Sequence, residues 1–331
     1  MARDLSQILQ QVTFNVGPDD GGLRLDHFAG NHVFWRSRSD LQKRIKTGSI
    51  RVDGAESKPS TKLKVGQVVS VQLRPEDLPD QDPASIEVQV LYEDDDIVVV
   101  NKQAGLVVHP TGRHVYDTLM NALHLRYRDE NDASPHVVHR LDRMTSGVLV
   151  AAKRETARRV LQDAFEAREP RKVYQALVEG EPKEDSFEVE QPIGSDEGAV
   201  IRLKMCVRPD GAYARTRFRV LERIGALSLL EATLDTGRQH QIRVHLGWAD
   251  SPVLADPLYG DPRSIGAEGD AEPILRRQAL HASELSLIHP TTEESMTFNA
   301  PMPADMEKLL DICRAGQSIQ MMDDEQSSRW A

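Results

Sequence analysis

From residue 95 onward the chain is dominated by short β-forming runs: "DDIVVVNK", "GVLVAAK", "KVYQALVEG", "ARTRFRVLER" and "ALSLLEATLD". Branched and apolar side chains in stretches this short suit strands within a sheet. Two helical patterns interrupt them. In "ETARRVLQDAFEAR", Ala157, Val160, Leu161, Ala164 and Phe165 recur at helical spacing and predict one buried face. "DTLMNALHLRYRDE" predicts a second helix, opened by Asp117 as its cap. Strands outnumber helices and do not strictly alternate with them, so the expected class is α+β rather than a doubly wound sheet.

A separate module precedes this region. A chain of 331 residues exceeds most single cores, so two domains with tails are expected. Residues 1–22 read as a polar tail, and residues 23–74 as a small folded unit. In that unit "SRSDLQKRIKTG" predicts a helix capped by Ser37 or Ser39 and closed at Gly48, where a left-handed residue is needed. "SIRVDG" and "VVSVQL" alternate like strands, with Asp53-Gly54 as a tight turn. Residues 75–88, with "PEDLPDQDP", read as an acidic, proline-containing linker. Residues 89–316 then form the main domain, and 317–331 a C-terminal tail.

Charge separates the two parts. The net charge of −11 argues against wholesale binding of a polyanion. Yet residues 36–64 hold nine basic side chains against three acidic ones, while residues 75–100 hold nine acids and no base. Such a chain touches a polyanion with one face only. The candidate contacts are Arg36, Arg38, Lys43, Arg44, Lys46 and Arg51, with few aromatics among them, which suits phosphate contact rather than base stacking. A merely solvated cationic helix would carry the same pattern.

"HRLDRMTSG", residues 139–147, places Asp142 between Arg140 and Arg143 and just ahead of a small-residue turn. A surface ion pair is the ordinary meaning of such an acid. Three blocks together point elsewhere: "HRLDRMTSGVLVAAK", "RKVYQALVEG" and "TGRQHQIRVHL", supported by "NKQAGLVVHP", "DPLYG" and "LHA". In this order they resemble the RluA-type RNA pseudouridine synthases over about residues 90–300. The stretch from "RLDHF" to "KLKVGQVVSV", residues 23 to about 73, resembles the αL RNA-binding domain first known from a small-subunit ribosomal protein.

The resemblance implies a pseudouridine synthase fold: a mixed, largely antiparallel sheet with the active-site cleft across it. It implies that Asp142 is the catalytic carboxylate, acting either as nucleophile or as the base on the ribose, and that Arg243 is its charge partner. Tyr174 would pack against the extruded uracil, and Arg140 would fill the gap left by the flipped nucleotide. Read without the family, Tyr174 is equally a half-buried strand aromatic and Arg140 a surface cation. Isomerising a uridine consumes no electrons, phosphate or water, so neither metal nor organic cofactor is expected. Large-subunit ribosomal RNA is the expected substrate, with transfer RNA as the alternative. Four departures from the family pattern concern loop shape and target choice: Gln103, Met144, Ala255 where glycine is common, and a longer "RSIGAEGDAEPILRRQ". Gly147 and Gly237 read as backbone features, since each sits where a turn meets an element.

Other classes recede. His109, His114, His124, His136 and His139 cluster in sequence, but without HExxH spacing or a cysteine partner, so no metal is expected. No GxGxxG or GxxxxGK[ST] motif predicts a nucleotide cofactor. Cys206 and Cys313, the two cysteines, form no CxxC pair and suit a reducing cytoplasm. No secretory leader and no membrane span are expected, and a monomer is the default. Two rivals stand beside the enzyme: a two-carboxylate glycosidic hydrolase, and a non-catalytic RNA-binding or ribosome-assembly factor. The first lacks a second acid tied to these blocks.

Overall fold

Valine and isoleucine fill the first long strand of the main unit on both faces, which fixes it inside a covered sheet. The computed structural model describes residues 11–33, 36–73, 82–110, 114, 116–130, 132–199, 201 and 203–323. They divide into two compact units, one from Met1–Val88 with Leu106–Pro135, the other from Gln89–Gly105 with His136–Ala331.

In the first unit β1 (Gln11–Asn15), β2 (Ile50–Val52), β3 (Ala55–Glu56) and β4 (Val68–Gln72) make a sheet of order β1-β4-β2-β3. Two helices, α1 (Leu25–His32) and α2 (Arg38–Lys46), pack with it, their Leu25, Phe28, Leu41 and Ile45 buried in one core with Val52, Val69 and Val71. Ser37 caps α2 by accepting the Asp40 N–H at 3.3 Å, and Gly48 follows it with φ 73°. Asp53 and Gly54 turn the β2–β3 hairpin with φ 50° and 79°, the positive pair such a turn requires. Asp26, buried on α1, accepts from Arg24 at 2.9 Å and from Gln42 at 2.8 Å, and so ties α1 to α2. The Arg24 side chain is the main reason that its carboxyl lies well below the usual range.

Two boundaries differ from the sequence expectation. Residues 11–15, assigned to a tail, pair with β4 because Val12 alternates into the core. Residues 106–135, assigned to the main domain, group by compactness with the first unit: Tyr116 is buried in its core and α3 (Leu119–Arg126) follows. The α3 cap is Thr118, not Asp117. Thr118 and Asn121 satisfy each other in a capping box, while Asp117 pairs with His114 at 2.7 Å. Of the linker, residues 75–81 lie outside the described residues, as do the first ten residues of the N-terminal tail and residues 324–331 of the C-terminal one.

The second unit begins with β5 (Gln89–Glu93), β6 (Ile97–Lys102), β7 (His136–Val137), β8 (Ser146–Ala152), α4 (Glu155–Ala167) and β9 (Arg171–Glu179). It continues with β10 (Ser186–Glu190), β11 (Ile193–Ser195), β12 (Met205–Val207), β13 (Arg215–Ile224), β14 (Leu227–Leu234) and α5 (Gln241–Trp248). The last elements are β15 (Ser264–Ala267), β16 (Leu280–Ile288), β17 (Ser295–Asn299), α6 (Ala304–Arg314) and β18 (Ile319–Met322). Its main sheet runs β10-β13-β14-β9-β16-β8-β6-β5, with β17 on β16 and β7 on β8. Among the described strands of this sheet only β8 and β16 pair in parallel, so the sheet is mixed and largely antiparallel. Every residue of β8 is buried. On α4 only Ala157 and Leu161 are buried, and Val160 is exposed, because the apolar stripe is narrower than its spacing suggested.

The long insertion and the expected C-terminal tail account for each other. β15, inside "RSIGAEGDAEPILRRQ", pairs with β18 from residues 319–322. The exchange of main-chain hydrogen bonds gives both segments order that neither composition signals. Ala255 has a left-handed φ of 54°, which explains why glycine suits this position. The strain costs an alanine about 1–2 kcal/mol. Ala255→Gly is therefore expected to raise the stability by ~0.5–1 kcal/mol after the added chain entropy of glycine. A denaturant titration showing destabilisation would contradict this.

Candidate active site

The loop from His139 to Thr145 leads into β8, and buried cations hold it from two sides. Lys102, at the end of β6, donates to the Arg143 carbonyl at 3.0 Å. Arg277, just before β16, donates to the Met144 carbonyl at 3.2 Å while its other nitrogens grip Asp305 of α6 at 2.8 and 2.9 Å. The Thr145 N–H closes a turn on the Asp142 carbonyl at 3.1 Å. Arg143 is turned away from Asp142, its Nε on the Gly105 carbonyl at 3.0 Å. Burial, the dominant influence, pulls the Lys102 ammonium down to about 7, against the attraction of Asp142.

Asp142 takes its charge partner from a hundred residues away. Arg243, in the first turn of α5, donates Nη1 to Asp142 Oδ2 at 3.1 Å. Its Nε and Nη2 clasp Asp256 at 2.6 and 2.7 Å. Asp256 is fully buried and also accepts the Leu258 and Tyr259 N–H groups at 2.9 and 3.2 Å. Arg243 is 4% exposed, so one guanidinium serves two carboxylates away from bulk water. Burial opposes its charge, but the Asp256 carboxylate beside it outweighs this and raises its pKa. The Tyr259 ring covers it, with Cζ 5.0 Å from the ring centroid.

The turn that delivers Arg243 is sealed by Gln241. Its amide oxygen accepts from Arg238 N–H at 2.9 Å and Thr236 Oγ1 at 2.7 Å, and its amide nitrogen donates to the Arg215 carbonyl at 2.9 Å. Gln241 is thus a buried strut, not a surface contact. Gly237 has no left-handed backbone, contrary to its reading as a backbone feature. A Cβ there would make only an ordinary contact, 3.7 Å from the Lys172 ammonium.

These elements enclose a cleft of about 910 Å³ that brings together Arg140, Asp142, Tyr174 and Arg243. That volume admits a nucleoside-sized group. Arg158, Arg168, Lys172 and Arg238 line it too, against Glu166 as the other acid, so the cleft favours an anion. Arg140 is exposed at its edge. Tyr174, on β9, is buried, and burial pushes its phenol above the ordinary range, so it faces the cleft un-ionised. His139 stacks on Phe165 at 4.6 Å and accepts the Val150 N–H at 3.1 Å; burial lowers its imidazole to about 3.

The candidate RNA contacts lie in the first unit and divide by exposure. Arg38, Lys43, Lys46 and Arg51 are exposed. Arg44 is 2% exposed, with Nε on Asp40 at 2.7 Å, because its position falls on the core side of α2 between Leu41 and Ile45. Arg36 is partly buried and lies 4.0 Å from the same carboxylate. Among the described residues no three His, Cys, Asp or Glu side chains are placed to hold a metal ion. None of the described helices is long and apolar enough to cross a membrane.

Comparison with known proteins gives this geometry a family. A family model described as RNA pseudouridylate synthase matches residues 96–248. A Chloroflexus aurantiacus protein named an uncharacterized RNA pseudouridine synthase is 42% identical over 298 residues, covering 89% of this chain and 91% of that one. The chain belongs to the RNA pseudouridine synthase family. It is an isomerase. The Xanthomonas campestris ribosomal large subunit pseudouridine synthase D is 41% identical over 308 residues, covering 90% of this chain and 92% of its own. Among solved structures, human RNA pseudouridylate synthase domain containing 1 superposes with a TM-score of 0.55 at 26% identity, over 73% of this chain and 93% of its own. The mixed sheet described above is thus the pseudouridine synthase fold.

Asp256, His240 and Tyr259 were not singled out in the sequence. Asp256 and Tyr259 sit in "DPLYG", a block quoted for its resemblance alone. An acid in a stretch carrying no other charge was the available signal.

Proposed function

We propose that this synthase isomerises uridines of large-subunit ribosomal RNA, with Asp142 as the carboxylate that reacts with the extruded nucleotide. The reaction exchanges an N1–C1′ bond for a C5–C1′ bond. C5 gives up a proton, N1 gains one, and nothing is consumed. What the protein must supply is an ionised carboxylate at the sugar and a slot for the base.

The observation that carries this reading is the Arg243–Asp142 pair on the wall of a cationic cleft. The guanidinium holds one Asp142 oxygen at 3.1 Å and so aims the other into the cleft, where the carboxylate can act as nucleophile or base. Tyr174 is suited to lie against the uracil face, since an un-ionised phenol adds no charge repulsion to a base that becomes anionic when detached. Arg140, exposed at the edge, is suited to occupy the place vacated by the flipped nucleotide. The name of the Xanthomonas relative supports the ribosomal substrate.

The first unit acts, in this proposal, as an αL-type RNA-binding domain through Arg38, Lys43, Lys46 and Arg51. Arg44 is left out because Asp40 already neutralises it. Replacing Lys43, Lys46 and Arg51 by Gln is expected to weaken RNA binding by about 10–100-fold at moderate salt and to flatten the slope of log affinity against log salt by about two. The single-turnover rate at saturating RNA should stay unchanged. Filter binding across a salt series, with unchanged affinity as the contrary result, tests the domain assignment. Mapping pseudouridines in total RNA with and without the gene tests the substrate: missing sites confined to transfer RNA would overturn the ribosomal reading.

A further inference from the structure

His240 occupies a position that a histidine adopts only at a cost. It precedes α5 with φ 55° and ψ 20°, in the left-handed region, and its side chain makes no capping hydrogen bond. Strain of about 1–2 kcal/mol at a non-glycine residue persists where the surroundings fix it, and it clusters at functional sites. Here the strained backbone turns the imidazole into the cleft, where its side chain is 10% exposed.

The ring is locked from behind. His240 Nδ1 lies 2.8 Å from the Tyr259 hydroxyl, with the two rings edge to face. That hydroxyl already accepts the Met205 N–H at 2.8 Å. We take the hydroxyl to donate its own hydrogen to Nδ1, the tautomer that places the imidazole proton on Nε2. Burial lowers the His240 pKa, against the opposing pull of Asp142, so the ring is neutral. Nε2 stands 3.9 Å from Asp142 Oδ1, whereas Arg243 is bonded to Oδ2. The two carboxylate oxygens are therefore unlike. One is held by a full charge, the other faces an uncharged N–H at 3.9 Å, longer than a hydrogen bond; such contacts in active sites commonly shorten only around bound substrate.

We propose that His240 is a positioning residue of the isomerisation: locked by Tyr259, it directs Nε2–H at the Asp142 oxygen that Arg243 leaves bare, and so fixes the orientation of the reacting carboxylate. This rests on the reading of Asp142 as that carboxylate. A second arginine here would bind Oδ1 as tightly as Oδ2 and quench both oxygens. A neutral donor orients the carboxylate while leaving its reactivity intact.

The test uses the full-length enzyme and total RNA from cells lacking the gene, labelled with 5-tritiated uridine. Loss of the C5 proton then releases tritium to water. His240→Phe is expected to lower the single-turnover rate by about 30-fold with KM and Tm unchanged, and His240→Gln, which restores an N–H, to recover it to within about fivefold of wild type. Tyr259→Phe should cost about fivefold alone and nothing further in the His240→Phe background, since both act through one contact. A His240→Phe rate within about twofold of wild type, a loss confined to KM, or no recovery in His240→Gln would overturn the proposal. Should His240→Phe fold poorly, Tyr259→Phe decides alone, an unchanged rate being the overturning result. Tritium release by Asp142→Asn would overturn the Asp142 reading itself. A dead Asp142→Asn beside a fully active His240→Phe removes this inference only.

Discussion

Asp142→Asn is expected to lower the isomerisation rate by about 10³-fold or more, ~4 kcal/mol of transition-state stabilisation, while RNA affinity changes little. The substitution keeps the side chain's shape and leaves Arg243 clasped by Asp256 at 2.6 and 2.7 Å, so the fold and the cleft walls should survive. What disappears is the negative charge that can attack carbon or take a proton. Tritium release from 5-labelled RNA, run beside a binding assay, measures both quantities. The same pair of assays separates the rivals. A non-catalytic assembly factor would show no turnover in the wild type and tolerate the Asn. A hydrolase would liberate free uracil, which chromatography detects.

The second large effect is structural. Gly147→Ala is expected to destabilise the second unit by ~3–5 kcal/mol, lowering Tm by roughly 10 °C. Gly147 has φ 117°, which side-chain-bearing residues rarely adopt. It also faces Ala282 across the parallel β8–β16 pairing, where an added Cβ would stand 2.1 Å from the Ala282 carbonyl oxygen. The β8 side has little room to yield, since that strand is buried throughout. Calorimetry or denaturant unfolding reads the loss, and a Tm within about 2 °C of wild type would show that the two strands part more easily than this packing allows.

Much of this was legible beforehand, for identifiable reasons. Strand-forming runs such as "IVVVNK" and "GVLVAA" announced themselves because central strands are apolar on both faces. The α2 cap and the Asp53-Gly54 turn were legible because their chemistry is local. The Asp142–Arg243 pair spans 101 residues, and only the family resemblance suggested it. What stayed hidden depends on long-range partners. Nothing in "DPLYG" says that its acid will share Arg243, and nothing in "RQHQIR" says that His240 will bend backwards onto Tyr259. Arg44 looked like its basic neighbours until the helix phase placed it beside Leu41 and Ile45. The tails were misjudged for the same reason. β1 and β18 have polar flanks and gain order only from the strands they meet.

The clamp on the Met144 carbonyl reaches into the last helix. Arg277 holds that carbonyl while its other nitrogens pair with Asp305, a residue made 163 positions after Asp142. A polypeptide emerging from the ribosome therefore carries its reactive acid long before that acid can be set. Competence arrives late in synthesis, when translation of the α6 segment completes the scaffold.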